Sequence, residues 1–184
     1  MQTNEELLNI FDLEKMCKGN GKTVHGFGIV FCFGTSLISH IIQAKTRLDN
    51  DEIVPSHVLL MWGNQVLEST TDVQKIRHKT IPSGVRMWRL KDWIECEKTK
   101  LTKYFFYPYR DIDNDLMTDL LHLPYGRDTI IDFLLKDKSE GDRTHGLICS
   151  QYVNKVTKLS KQRCPSPADL YRIVLKKIKE EEKE

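Results

Sequence analysis

Two strand-like runs face each other across a two-residue turn, and that hairpin constrains the fold more than any other feature of the chain. His57-Val58-Leu59-Leu60-Met61-Trp62 and Gln65-Val66-Leu67-Glu68 flank Gly63-Asn64, a glycine-led pair suited to a tight antiparallel connection. A two-residue turn pairs Trp62 with Gln65, Leu59 with Glu68 and His57 with Thr70. Paired side chains share a face, so His57, Leu59, Met61, Val66, Glu68 and Thr70 are expected to point the same way. Glu68 becomes a diagonal cross-strand neighbour of His57, with backbones on the order of 7 Å apart. A carboxylate there can accept a hydrogen bond from one imidazole nitrogen and fix the tautomer. The other nitrogen is then available as a base.

A second constraint comes from Gly146-Leu147-Ile148-Cys149-Ser150-Gln151-Tyr152-Val153, where an extended apolar stretch turns into a helix. Apolar or aromatic residues follow Cys149 at Tyr152, Val153, Val156 and Leu159, the spacing of a helix whose buried stripe begins at the cysteine. A thiol at a helix start meets backbone N–H groups without intrahelical acceptors and the positive end of the helix dipole. Both favour thiolate, and the same N–H groups can receive an oxyanion. A base, a group that orients it and an activated thiol are the parts of a cysteine nucleophile site.

Elsewhere the pattern is mixed. Thr3-x-x-Glu6 before Leu7, Leu8, Ile10 and Phe11 predicts a capped first helix ended by Gly19-Asn20-Gly21. Phe27–Phe33 reads as a buried strand. Thr35-Ser36 caps a helix through Leu37, Ile38, Ile41 and Ile42, and 47–55 is a polar loop. Alternation over 85–90 and the aromatic run 101–107 add strands. From Asp111 the periodicity becomes helical, over 111–121, 128–135, from Cys149 and from Pro167. Strands early and helices late predict an α+β fold, with helices packed on an antiparallel sheet or small barrel. A chain of 184 residues fits one domain spanning 1–184, with an N-terminal helical extension at 1–22.

Composition removes several classes of function. The formal net charge of +2 is too small to point to a nucleic-acid partner, and the charged C-terminal run mixes signs. The longest apolar stretch, Phe27–Phe33, is far shorter than the roughly 20 residues needed to cross a bilayer. The polar, acidic start Met1-Gln2-Thr3-Asn4-Glu5-Glu6 lacks the chemistry of a secretory leader. Five widely spaced cysteines without a Cys-x-x-Cys pair indicate reduced thiols and a cytoplasmic setting.

With these residues in place, the chain resembles the permuted branch of the NlpC/P60 papain-like cysteine hydrolases, the YiiX-like group. The resemblance runs through Phe33-Gly34-Thr35-Ser36-Leu37-Ile38-Ser39, Ser56-His57-Val58, Val66-Leu67-Glu68-Ser69, Pro124-Tyr125-Gly126, Cys149-Ser150 and Pro167-Ala168-Asp169-Leu170. The order matters, because in that branch the histidine strand precedes the cysteine helix, as here. The resemblance implies a permuted papain-like fold with Cys149 as nucleophile, His57 as general base and Glu68 as the orienting third residue. Tyr125, Tyr152 and Ser56 are candidate substrate-binding residues. The implied activity is hydrolysis of an amide in a peptide-like or acylated small substrate, through an acyl-enzyme and without a cofactor or metal.

Other readings of the same residues stay open at this point. The chain could be a catalytically silent papain-like binding module, an ester or thioester (acyl lipid) hydrolase or acyltransferase, or a redox-responsive thiol protein. Cys17, Cys32, Cys96 and Cys164 read as packing residues, as do Trp62, Trp88 and Trp93. His145, four residues before Cys149, competes with His57. His25, His40, His78 and His122 read as surface or structural residues. No pair of candidate ligands has zinc-finger spacing.

Overall fold

The structure is a computed structural model that describes residues 7–18, 26–49, 51, 53–71, 74–76, 79–126 and 146–183. Its centre is a five-stranded antiparallel sheet in the order β6-β3-β2-β1-β7. These strands are β1 (Phe27–Phe33), β2 (His57–Trp62), β3 (Gln65–Thr70), β6 (Gly84–Arg89) and β7 (Lys103–Pro108). Two short strands, β4 (Gln74–Ile76) and β5 (Lys79–Ile81), pair separately. The described residues include six helices: α1 (Ile10–Lys18), α2 (Leu37–Thr46), α3 (Leu90–Glu97), α4 (Asn114–Asp119), α5 (Cys149–Thr157) and α6 (Pro167–Glu181). The fold is therefore α+β, and among the described residues the sheet ends at β6 on one side and β7 on the other. No helix among the described residues is long and apolar enough to cross a membrane.

Strand β2 lies in the middle and explains the architecture. Val58, Leu59, Leu60 and Met61 are all buried, so both faces of the strand are covered. Leu59, Met61, Val66, Val30, Trp88 and Tyr104 pack with Ile10 and Leu13 of α1 and with Leu90, Trp93 and Ile94 of α3. Val58, Leu60, Leu67, Phe31 and Phe105 pack instead with Tyr152, Val153 and Val156 of α5 and with Leu170, Tyr171 and Val174 of α6. A strand buried on both sides loses the polar alternation of a half-exposed one, and the continuous apolar run Val58-Leu59-Leu60-Met61 is that pattern.

Several elements differ from their sequence readings. Leu7 and Leu8 are not helical: Leu8 exchanges backbone hydrogen bonds with Tyr104 beside β7, at 2.8 Å each way. Helix α1 begins only at Ile10, where the Asn9 side chain accepts from the N–H groups of Phe11 and Asp12; the Thr3-x-x-Glu6 box lies outside the described residues. Strand β6 stops at Arg89, and Leu90 opens α3, its N–H donating to the Asn64 carbonyl in the hairpin turn. Leu90, Trp93, Ile94 and Glu97 form the buried face of α3, an i, i+3, i+4, i+7 series that extending the strand through Leu90 concealed. Helix α4 is confined to Asn114–Asp119, with Asp113 as its cap. The segment 128–135 lies outside the described residues.

The sheet edge connects directly to the helix that carries Cys149. Beyond β6, Val85 donates to the Leu123 carbonyl and His122 donates to the Val85 carbonyl, each at 2.8 Å. Two residues on, Tyr125 bridges Leu147 in parallel, with the Leu147 N–H on the Pro124 carbonyl at 3.0 Å. Two glycines permit this approach. A Cβ on Gly84, which has φ +116°, would lie 2.3 Å from the Leu123 oxygen, and one on Gly146 would lie 2.4 Å from the Pro124 oxygen. Gly84→Ala is accordingly expected to lower stability by about 1–3 kcal/mol, seen as a lower urea midpoint. An unchanged midpoint would show that the edge relaxes at no cost.

Candidate functional site

The site begins with the hairpin register. Trp62 pairs with Gln65, Met61 with Val66 and Leu60 with Leu67, and Gly63 adopts φ 59° in the two-residue turn. This register places His57 and Glu68 on one face, and His57 Nε2 lies 3.1 Å from Glu68 Oε2. Because Nε2 is engaged by the carboxylate, Nδ1 is the nitrogen left for a reacting group. His57 keeps 28% of its side-chain surface exposed, so the ring is reachable from solvent.

Glu68 is buried and its second oxygen is saturated with donors. Oε1 accepts from Arg86 Nε at 3.1 Å, Arg86 Nη2 at 2.9 Å and Trp88 Nε1 at 2.9 Å. Register supplies these partners: Glu68 sits opposite Arg86 across β3 and β6, and Trp88 is two residues further along. The Arg86 guanidinium also lies 4.3 Å from the centre of the Trp88 ring. Reading the sequence missed Arg86 and assigned Trp88 to packing. The alternation Arg86-Met87-Trp88 carried the signal, but only the pairing of β6 with β3 turns it into a carboxylate clamp.

Cys149 enters from the other side. It is the first residue of α5 and only 6% exposed. The Gln151 Oε1 accepts the Ile148 N–H at 3.2 Å, the return half of a capping arrangement in which glutamine serves as well as glutamate. The Ser69 hydroxyl donates to the Leu147 carbonyl in a short hydrogen bond, tying the approach to α5 onto β3. Cys149 and His57 line the same cleft, and the sulfur interacts electrostatically with the imidazole and with the backbone N–H groups of Val58 and Ser150.

These contacts set the charge state. Burial pushes the Cys149 thiol up, but the His57 imidazolium and the two N–H groups outweigh it and hold the thiol below its ordinary range. Burial likewise disfavours charge on His57, yet the facing sulfur and Glu68 raise the imidazole to about 10. Glu68 is desolvated too, and His57 with Arg86 nevertheless keeps its carboxyl below the usual value. With the thiol ionised, the four groups would alternate in charge, thiolate, imidazolium, carboxylate and guanidinium, which is how ionised groups become tolerable away from water. Cys32, the cross-strand partner of His57, shows the opposite behaviour: burial, then Glu97, Glu68 and Cys149, push its thiol well up.

The remaining candidates separate. Cys149, His57, Ser56 and Tyr125 line a cleft of about 290 Å³, together with Ile38, Ile42, Ile148 and Pro167. The Ser56 hydroxyl is already engaged, accepting from the Gly34 N–H at 3.3 Å and donating to the Cys32 carbonyl at 3.4 Å. Tyr152 does not line the cleft. It is wholly buried in the core against the sheet, and its hydroxyl has no hydrogen-bond partner among the described residues. Its place three residues after Cys149 turns it beneath the helix, which corrects the expectation that it binds substrate. His145, His25 and His78 lie outside the described residues. Among the described residues no group of three or more His, Cys, Asp or Glu side chains is arranged to hold a metal ion.

Helix α2 forms one wall of the cleft. Ser36 caps it by accepting the Ser39 N–H at 3.1 Å. At its far end Arg172 of α6 binds the Thr46 carbonyl and Asp51 while also donating to Asp169 at 3.0 Å. Leu37, Ile38 and Ile41 are 76%, 60% and 45% exposed, so most of the apolar stripe read from the sequence faces solvent rather than core.

No protein-family model, curated protein or solved structure matches the chain.

The charge chain has a direct consequence for pH. An unperturbed thiol loses its reactive form below about pH 8.5. With the thiol shifted down and the imidazole shifted up, the ion pair occupies the window between them. Alkylation of Cys149 by iodoacetamide is expected to stay fast through neutral pH and to fall only on the acid side, as the thiolate is protonated. In His57→Ala the burial penalty is left unopposed by the imidazolium, and the midpoint should move up by more than about one pH unit. A parent midpoint in the free-thiol range, unmoved by this substitution, would contradict the assignment.

Proposed function

We propose that the protein is a cysteine hydrolase that cleaves an amide through an acyl-enzyme, and that its fold is of the permuted NlpC/P60 papain-like type. The observation that carries this reading is the hydrogen-bonded His57–Glu68 pair, whose imidazole shares the wall of one cleft with the Cys149 thiol. A helix bearing the thiol at its first position, laid against an antiparallel sheet bearing the histidine, supports the fold assignment, as does the order of histidine before cysteine.

In the proposed reaction Cys149 Sγ attacks the substrate carbonyl and a carbon–sulfur bond forms. N–H groups in the first turn of α5 receive the developing oxyanion. His57, oriented by Glu68, carries the proton lost from the thiol and delivers it to the leaving nitrogen as the carbon–nitrogen bond breaks. Water then attacks the thioester, giving its proton to His57, and the returning proton frees Cys149. Arg86 and Trp88 act through Glu68 as positioning residues.

The test is to incubate the protein with peptidyl and acyl amides and look for an acyl adduct on Cys149 by mass spectrometry. Turnover should be lost in Cys149→Ala and fall by about 10²–10⁴ in His57→Ala, the range of a positioned general base. Turnover that survives Cys149→Ala would overturn the reading.

A further inference from the structure

A second cavity of about 600 Å³ is also lined by the His57 ring. It shares Ser36, Ile38, Ser39, Ser56, His57 and Thr70 with the cleft at Cys149, so the two are halves of one groove that passes the imidazole. Their private linings differ in kind. Beyond the shared residues, the first half is walled mainly by Ile42, Ile148, Pro167 and Tyr125 beside the thiol. The second adds the charged Glu68, Arg86, Glu97 and Lys100 and the hydroxyls of Thr35, Thr99 and Thr102, beside Cys32, Trp93 and Leu101, so it differs from the first in its charge and hydroxyls rather than in lacking apolar wall.

We infer, on the basis of the hydrolase reading above, that the substrate is an amphiphile: an apolar acyl chain lies beside Cys149 and a polar, hydroxylated leaving group occupies the second cavity. The direction follows from chemistry. The carbonyl carbon must reach Cys149 Sγ, and Cys149 lines only the apolar half. The leaving atom must receive the proton held by His57, and His57 lines both. A bound substrate therefore has its acyl part on the cysteine side and its leaving group past the ring.

The polar half also defines what it accepts. Its charged side chains neutralise one another: Glu97 takes Lys100 Nζ at 2.6 Å and the Tyr104 hydroxyl at 3.1 Å, while Glu68 takes Arg86. Balanced charge among several hydroxyls suits an uncharged or zwitterionic group with many hydrogen-bonding positions better than a strongly charged one. On the other side, the exposed Leu37, Ile38 and Ile41 continue the apolar lining onto the outer surface of α2. A chain longer than the cleft can lie there.

The experiment uses the intact protein and three amides: a decanoyl amide of a polyhydroxylated amine, the reversed compound N-decylacetamide, and a short unacylated peptide. Decanoylation of Cys149 and kcat/KM are measured alongside iodoacetamide labelling. The decanoyl polyol amide should exceed each of the others by at least about tenfold in kcat/KM. Thr102→Trp, which fills the polar half, should cost more on that compound than on decanamide, whose leaving group is ammonia. A Cys149 that labels as a thiolate but prefers the reversed amide or the peptide, or takes none of the three, overturns this inference and leaves the charge-state assignment standing. Labelling at the rate of an ordinary thiol removes the hydrolase reading itself.

Discussion

The site depends on how Glu68 is held. A carboxylate removed from water is costly unless its lone pairs and charge are answered, and Glu68 is answered by donors from two neighbouring strands: His57 on β2, and Arg86 and Trp88 on β6. Because β3 runs between β2 and β6, a single residue at its centre can accept from both. Arg86 compensates the charge and lets Glu68 remain ionised beside His57. That anion, with the thiolate on the other side, makes a protonated imidazole favourable where burial alone would neutralise it.

The sheet brings together residues whose side chains belong to opposite faces. His57 follows the parity of Leu59 and Met61, toward α1 and α3, whereas Cys149 belongs to the core formed with α5 and α6. They meet because His57 is the first residue of β2, where the chain has just entered the sheet and nothing further along the strand separates the faces. The N–H of Val58, the next residue, is among the groups that lower the thiol. The same backbone that aims the imidazole thus also helps to hold the thiolate.

How much of this was legible in the sequence depended on whether the signal was local. The hairpin register needed only a two-residue turn and strand parity, and it placed Glu68 beside His57. The start of α5 at Cys149 needed only apolar spacing. Arg86 and Trp88 are separated from Glu68 by β4, β5 and the turns around them, and no local pattern states which strand β6 pairs with. Tyr152 was misjudged because proximity to Cys149 along a helix says nothing about which way a side chain turns: three residues on, it points under the helix into the sheet. Leu37, Ile38 and Ile41 illustrate the converse. Their helical spacing was correct for α2, but an apolar stripe does not reveal whether a core or a cleft mouth lies in front of it.

The most direct test of the account is the charge state of His57, observed through the ¹⁵N shifts of its ring and assigned by their loss in His57→Gln. At about pH 8, where an unperturbed imidazole is almost wholly neutral, the account predicts that both ring nitrogens carry protons and that the thiolate is present with them. A neutral ring with one protonated nitrogen at that pH would contradict the paired thiolate and imidazolium on which the proposed chemistry rests.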